Sequence, residues 1–365
     1  MTFGDPIIYY CPSCSKPMKM TTYRSYSVFR SDVYSDGLTT GGPLFIPDLA
    51  KCPDCKVLFF RHNVKNKKNM EYRKAAKIKD IKIPKRADLI NAQKQGVAKN
   101  WKEELQLLED LWRDLNDDLR HGNNNLKDKE FQYWNEICAA LLPLAEKHYK
   151  EMCRQSLRLK KNSKKYDDKD RDNCLIMTAE INRNLSDFDK CEELINTLNS
   201  QWDWLKEQYI LEVMRKNPLT FQLLTKSDLN LENYERAGMY DYLDRAKKYK
   251  NRCLPEKALA DYNKAEELGD GDNYHLYIER ALLYTGYFND HDSAIADFSK
   301  ALSIAQNSLE EEKKKEKPLN IECYTNWILN ALERRSNEYE LNGNPACASA
   351  DKNIMIKIQE KLYNE

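Results

Sequence analysis

Two short motifs near the start of the chain carry the residue types most ready for chemistry. They are Cys11-Pro12-Ser13-Cys14 and Cys52-Pro53-Asp54-Cys55, with 37 residues between them. Each C-x-x-C turn offers two thiolates from one tight bend, and the proline behind the first cysteine pre-sets that bend. Two such turns supply the four soft ligands of a tetrahedral ion, and Zn²⁺ is the ion that takes them. Cys11, Cys14, Cys52 and Cys55 are therefore the candidate metal ligands. The competing chemistry is a redox dithiol, since C-P-x-C also serves disulfide exchange. That motif sits once, at a helix N-terminus after a strand. Here there are two copies, and Pro17 follows the first too closely for a helix to run on. A zinc deaminase is disfavoured, because no H-x-E precedes the second pair. His62 is a spare ligand at most and reads as a surface residue. Four cysteines leave no open position for water, so the expected Zn²⁺ is structural and folds its surroundings without catalysing a reaction.

The elements that must bring the two pairs together lie in residues 1–62. β-branched and aromatic runs such as Thr21-Thr22-Tyr23-Arg24-Ser25-Tyr26-Ser27-Val28-Phe29 predict strands, and Ser35-Asp36-Gly37 and Gly41-Gly42-Pro43 predict turns. A three-stranded insert fits the spacing. With few large apolar side chains, a β domain of about 60 residues is expected to depend on its metal. The turn Tyr34-Ser35-Asp36-Gly37, the proline-bearing stretch Pro43 to Pro47 and the aromatic pair Phe59-Phe60 complete a pattern over residues 9–62 that resembles zinc ribbons of uncharacterised bacterial proteins. The usual glycine after each C-x-x-C is replaced by Ser15 and Lys56. The resemblance implies a structural metal and brings no activity with it.

Behind this segment the composition changes. Between Arg61 and Arg86 eleven basic residues face only Glu71 and Asp80. The bland reading of such a run is a solvated, self-repelling linker with one helix at most. The functional reading is phosphate neutralisation, with Tyr23, Tyr26, Phe29, Phe59, Phe60 and Tyr72 as stacking platforms for bases. From residue 97 the period is helical. Trp101, Leu105, Leu108, Trp112, Leu115 and Leu119 recur at four and three, on one helix face that serves as core or as a self-association seam. His121 to Asn125 should end that helix. A second helix carries Phe131, Trp134, Ile137, Leu141, Leu144 and Met152, with a kink expected at Pro143. Polar stretches at 160–171 and 313–318 mark further breaks.

The chain also repeats itself. Ala258-Leu259-Ala260-Asp261-Tyr262-Asn263-Lys264-Ala265 matches Ala294-Ile295-Ala296-Asp297-Phe298-Ser299-Lys300-Ala301 at an offset of 36. Upstream, Tyr242, Ala246 and Tyr249 match Tyr277, Ala281 and Tyr284 at 35, so one residue has been inserted in the loop of the second copy. Small residues sit where two helices approach, and aromatics fill the gaps between layers. Over residues 240–303 the pattern resembles the tetratricopeptide repeat. A weaker copy spans 172–199, with Leu175, Ala179, Asp187, Phe188, Cys191, Ile195 and Leu198, and residues 321–363 supply a terminal cap. The resemblance implies a solenoid whose first helices line a groove. Tyr240, Leu243, Lys247, Lys250 and Asn251 of one unit, and His275, Ile278, Leu282 and Thr285 of the next, would face a peptide with some acidic character.

Bulk composition narrows the rest. Lys plus Arg is 59 against 58 Asp plus Glu, so net charge says nothing and only local clusters speak. Scarce Gly (11) and Pro (12) argue against an all-β chain. No basic start followed by an apolar run marks a leader, and no stretch is apolar enough for a membrane span. Seven further cysteines stand singly in helical stretches, as they do in reducing compartments, which predicts a cytoplasmic address. No Walker A loop, H-E-x-x-H, G-x-S-x-G or G-x-G-x-x-G occurs. The expected protein is mainly α: a small β zinc-ribbon domain (1–62), a basic linker (63–96), a helical region with one weak repeat (97–235), and an α-helical, tetratricopeptide-like solenoid with its cap (236–365). Its expected role is that of a non-catalytic adaptor for protein partners, with nucleic-acid binding through the ribbon and residues 61–86 as the alternative.

Overall fold

Strands form where the β-branched and aromatic residues cluster, and helices take over once the period lengthens. The structure is a computed structural model that describes residues 2–25, 32–37, 48–65, 67–120, 128–162, 168–234, 237–269 and 271–364. Among the sequence features above, Tyr26 to Phe29, Gly41 to Pro47 and His121 to Asn125 lie outside the described residues. Two compact units divide the chain, Met1–Leu223 and Leu224–Glu365.

In the first unit the strands are β1 (Thr2–Phe3), β2 (Ile7–Tyr10), β3 (Pro17–Met20), β4 (Tyr23–Ser25), β5 (Val33–Tyr34), β6 (Leu49–Lys51), β7 (Leu58–Phe60), β8 (Lys67–Asn69) and β9 (Gln222–Leu223). β2 pairs antiparallel with β3 on one side and β8 on the other, in the order β3-β2-β8. β6 and β7 form a second hairpin, with Leu49 opposite Phe60 and Ala50 opposite Phe59. Each hairpin turns at one cysteine pair.

Residues 63–96 are not a linker. β8 is the third strand of the ribbon sheet, and the backbone around Ile81 stitches the two hairpins together. Lys19 N–H donates to the Lys79 carbonyl (2.9 Å) and Ile81 N–H to the Lys19 carbonyl (2.9 Å). Lys51 and Lys82 exchange both of their backbone hydrogen bonds at 3.0 Å. Ile81 itself is buried with Tyr9, Cys11, Met18, Ala50, Cys52, Phe59 and Val64. The density of lysine suggested solvation. The side chains are solvated, but their backbone groups complete two sheet edges, which composition does not reveal.

Helices α1 (Arg86–Lys94), α2 (Trp101–Arg120), α3 (Asp128–Asn162), α4 (Lys169–Asn184), α5 (Phe188–Asn196) and α6 (Asp203–Met214) complete the first unit. The α2 stripe is core: Leu105, Leu108, Trp112 and Leu115 pack with Trp134, Ile137, Cys138 and Leu141 of α3. α3 continues through Pro143. Pro143 is exposed, and so is Ala139, whose carbonyl loses its partner, so water can satisfy that group. The weak repeat forms the helix pair α4–α5, with Asp187 capping α5 through the Lys190 N–H.

Successive strand residues point to opposite faces, and the β6–β7 hairpin uses both. Ala50 and Phe59 face the cysteine core, whereas Leu49 and Phe60 join the core of α1–α3. A second tie is polar and buried. Ser35 Oγ donates to Glu180 (2.6 Å), Tyr209 donates to the Ser35 carbonyl (3.0 Å), and Asn116 donates to Asp36 (3.0 Å). Glu180 also accepts from Arg183 at 2.6 Å, and the Trp112 and Trp134 indoles donate to Asn184 and Asn116. Charges and amides this deep persist because each has a partner.

The second unit contains α7 (Lys226–Leu229), α8 (Met239–Asn251), α9 (Pro255–Leu268), α10 (Tyr274–Leu283), α11 (His291–Lys313), α12 (Ile321–Leu341) and α13 (Pro345–Asn364). It begins before residue 236, since Leu224 and Leu231 belong to its core. The small and aromatic residues of the repeat are core: Ala246, Ala258, Ala265, Ala281, Ala294 and Ala301 are fully buried, with Tyr262 and Phe298 between them. The inserted residue is not in a loose loop. It is absorbed by a π-helical turn, Tyr284–Phe288, at the end of α10, after which Asn289 is left-handed (φ 51) as Cys253 is in the first copy (φ 51).

Three bidentate ion pairs repeat with the helix pairs. Arg245 clasps Asp261 (2.7 and 2.7 Å), Arg280 clasps Asp297 (2.8 and 2.8 Å), and Arg335 clasps Asp351 (2.8 and 2.7 Å). The separations are 16, 17 and 16 residues, the middle one longer by the insertion. The guanidinium also lies over Tyr242 and Tyr249, over Tyr277, and over Tyr339. Aligned on these pairs, Ser336, Tyr339 and Ala348 take the places of Ala246, Tyr249 and Ala258, so α12–α13 is a third unit of the repeat and more than a cap. Removing one partner of such a buried pair strands the other charge. Arg280→Ala should therefore cost about 3 kcal/mol in urea denaturation of the full chain. In the Arg280→Ala/Asp297→Ala double variant part of that loss should return, and strict additivity of the two single losses would rule out the coupling.

Candidate metal centre and binding surfaces

Antiparallel pairing of β2 with β3 ends at Tyr10 opposite Pro17, which leaves residues 11–16 as a tight knuckle. Cys11 N–H donates to the Lys16 carbonyl (3.0 Å), Ser15 N–H returns to the Cys11 carbonyl (3.0 Å), and the amides of Ser13 and Cys14 point at the Cys11 sulfur (3.4 and 3.5 Å). The second knuckle repeats the construction: Cys52 N–H to the Val57 carbonyl (2.9 Å) and Lys56 N–H to the Cys52 carbonyl (3.2 Å). Ser15 and Lys56 are both left-handed, at φ 57 and 67. The two positions without the expected glycine are thus the two where glycine has a conformational reason to stand.

The four sulfurs lie within 4.8 Å of one another. Cys11 and Cys55 are 3.5 Å apart, and Cys14 and Cys52 are 3.8 Å apart. A tetrahedron with metal–sulfur bonds of about 2.3 Å has edges of about 3.8 Å, so the site fits a four-thiolate ion. Cys11 and Cys52 are buried, Cys14 is half-buried and Cys55 is exposed. Burial pushes the Cys11 thiol up to about 12, while the backbone amide of Val57, helped by the neighbouring thiols, pulls Cys55 down to about 7. A cation placed among the sulfurs relieves that conflict by replacing protons.

His62 is exposed at the surface, as expected, and it is also bonded there. Its Nδ1 meets Asp48, its Nε2 meets Glu103 of α2 at 3.3 Å, and Glu103 is almost fully buried. Burial pushes the imidazole down, but the hydrogen bonds and charges of Asp48 and Glu103 outweigh it and hold His62 above its ordinary value. With Lys51–Asp88 (2.5 Å), it ties the ribbon to the helices around it.

The groove residues separate into two sets. Leu243 and Ile278 are core, only 6% and 8% exposed, because the close approach allowed by Ala246 and Ala281 lets neighbouring helices cover them. They do not face an open groove. Lys250 is ion-paired with Glu279, and Leu282 and Thr285 are half-buried. Tyr240, Lys247, Asn251 and His275 are exposed. Tyr240 and His275 border a cavity of about 640 Å³ that also has Met239, Leu268, Asp272, Asn273, Tyr274 and Trp327 in its walls. Trp327 stacks on Tyr274 at 4.5 Å and meets His275 edge-on at 5.1 Å. Burial and the charge of Lys247 hold His275 below its ordinary value, so its ring is neutral at pH 7. Among the described wall residues Asp272 is the one that is charged. The place of Trp327 beside Tyr274, 53 residues away in sequence, carries no local signal.

Of the candidate stacking residues, Phe59 and Phe60 are buried, whereas Tyr72 is 47% exposed. No described helix is long and apolar enough to cross a membrane.

No family model matches the chain, and no curated protein matches it. Solved structures that resemble it include MamA (14% identity, 51% of this chain and 97% of that one, TM-score 0.29). BtubC from P. vanneervenii resembles it at 14% identity over 73% and 94% of the two chains, with a TM-score of 0.30. A Podospora anserina kinesin light chain with tetratricopeptide-like repeats does so at 12% identity over 69% and 96%, with a TM-score of 0.29.

Two outcomes follow from the site's geometry. Ser15→Gly should raise unfolding stability by about 0.5–1 kcal/mol without changing metal content, because the left-handed strain disappears; a loss of stability would contradict it. The stability that His62 contributes is fully present below its ordinary value of about 6.5 and is lost as pH rises through its raised folded value. The gap between wild type and His62→Gln in urea midpoints should accordingly be wide at pH 5.5 and close by pH 9.

Proposed function

We infer that the chain is a non-catalytic scaffold with a structural Zn²⁺ in its first unit and a partner-binding cavity in its second. The observation that carries the reading is the cavity: four aromatic rings, Tyr240, Tyr274, His275 and Trp327, gathered beside one carboxylate, Asp272. Aromatic faces attract cations, and a neighbouring carboxylate adds to that preference. No lysine or arginine stands in the described walls, and Lys250, which would favour an acidic peptide, is taken by Glu279. The partner is therefore a protein segment that presents a lysine or arginine side chain. Four thiolates, with no fifth donor grouped with them among the described residues, make the metal a brace, and thiolate ligation suits a reducing compartment such as the cytoplasm.

The metal is checked by elemental analysis of protein prepared without chelator. One zinc per chain is expected, falling to none in Cys11→Ser/Cys52→Ser, with the near-ultraviolet circular dichroism of buried Trp112 and Trp134 weakening on chelation. The cavity is checked by titrating the full chain with matched fluorescent peptides that carry Arg, Lys, Glu or Leu at one central position. The Arg and Lys peptides should bind at least tenfold more tightly than the Glu peptide. Asp272→Lys should abolish that preference, Tyr240→Ala should weaken it, and Lys250→Ala should leave it unchanged. Preference for the Glu peptide, or no binding by any peptide, would reject the reading.

A further inference from the structure

Six acidic residues in and around the ribbon are already committed. Asp54 is held by Lys79 (2.5 Å) and Lys16, Asp80 by Lys19, Glu71 by Lys74, Asp88 by Lys51, Asp118 and Asp114 by Arg86. Lys65, Lys67, Lys68, Arg73 and Lys77 are exposed, and none has a carboxylate partner among the described residues. Four of these five cations do not swing on a free tether. Lys67 and Lys68 are on β8, in register with Tyr9 and Ile8, and Arg73 and Lys77 are on the turns that follow. Lys68 lies 6.0 Å from the centre of the Tyr10 ring, and the exposed ring of Tyr72 falls between the lysine pair and Arg73 in sequence.

We propose that the β8 edge of the ribbon and the turns after it bind single-stranded nucleic acid, with Lys65, Lys67, Lys68, Arg73 and Lys77 neutralising phosphates and Tyr72 stacking on a base. Cations fixed on a folded strand lose less freedom on binding than cations on a mobile linker. Each phosphate neutralised releases a counterion, and an exposed ring beside the basic track accepts any base. Lysines on an edge strand also discourage strand pairing with other chains. That role accounts for Lys67 and Lys68, but not for Arg73 and Lys77 beyond the strand. The inference stands on the first unit alone and survives failure of the cavity in the second.

The test is fluorescence anisotropy of the zinc-loaded full chain with a labelled mixed-sequence 20-nucleotide RNA from 50 to 300 mM KCl. If about five phosphates are contacted, log K should fall against log salt with a slope near −3.5. Lys67→Glu/Lys68→Glu should lower affinity at least tenfold and reduce the slope by about 1.4. Arg73→Glu/Lys77→Glu lies outside any strand, so it should do the same without disturbing the sheet; zinc content reports the fold of both variants. Tyr72→Ala should weaken binding several-fold at unchanged slope, and Asp272→Lys in the other unit should have no effect. Absence of RNA binding at 50 mM KCl would overturn the proposal. So would affinity unaffected by both charge reversals, or tighter binding to vesicles of 30% phosphatidylserine than to RNA.

Discussion

Four sulfurs held within 4.8 Å of one another are the constraint on which the first unit depends. Two C-x-x-C bends bring four thiols to one point, where a single cation could meet all of them and displace their protons. Two hairpins must be held mouth to mouth for this to happen. The backbone around Ile81 does so, bonding to Lys19 on one side and Lys51 on the other, one residue before Cys52. The most basic stretch of the chain is therefore also the one that closes the metal site.

The β6–β7 hairpin makes this a matter for the whole unit. Alternation along a strand gives it two apolar faces, with Ala50 and Phe59 toward the sulfurs and Leu49 and Phe60 toward α1–α3. The cysteine core and the helical core share a wall one hairpin thick. The buried turn at Ser35 and Asp36, and His62 between Asp48 and Glu103, fasten the same two bodies by polar means. A ribbon that would be marginal alone is thus supported by helices, and the helices in turn lean on the ribbon.

The second unit is organised by a different device. Alanines let the helices approach, and at each pair an arginine crosses to an aspartate under the cover of tyrosine. Such ion pairs add little net energy over well-packed apolar residues, but a missing partner is costly, which is how they fix the register of one helix against the next. The third pair is legible in the sequence once the arginine is included: Arg335, Ser336, Tyr339, Ala348 and Asp351 follow the spacing of Arg245, Ala246, Tyr249, Ala258 and Asp261. A search for alanine and tyrosine alone passes over it, because serine replaces the first alanine.

Local chemistry and period were enough to single out the four cysteines that meet, the helical majority and two repeat units, because each depends on residues a few positions apart: a C-x-x-C bend, a stripe at three and four, an alanine one turn from a tyrosine. The chain alone did not disclose that residues 67–82 complete the ribbon's sheet edges, that His62 is a clamp, that Leu243 and Ile278 are covered, or that Trp327 stands beside Tyr274. Those facts depend on groups 30 to 60 residues apart meeting in space. A lysine's side chain reports its solvation and says nothing of where its amide is bonded. The exposure of a helix residue is set by what packs over it, and only the tertiary structure decides that.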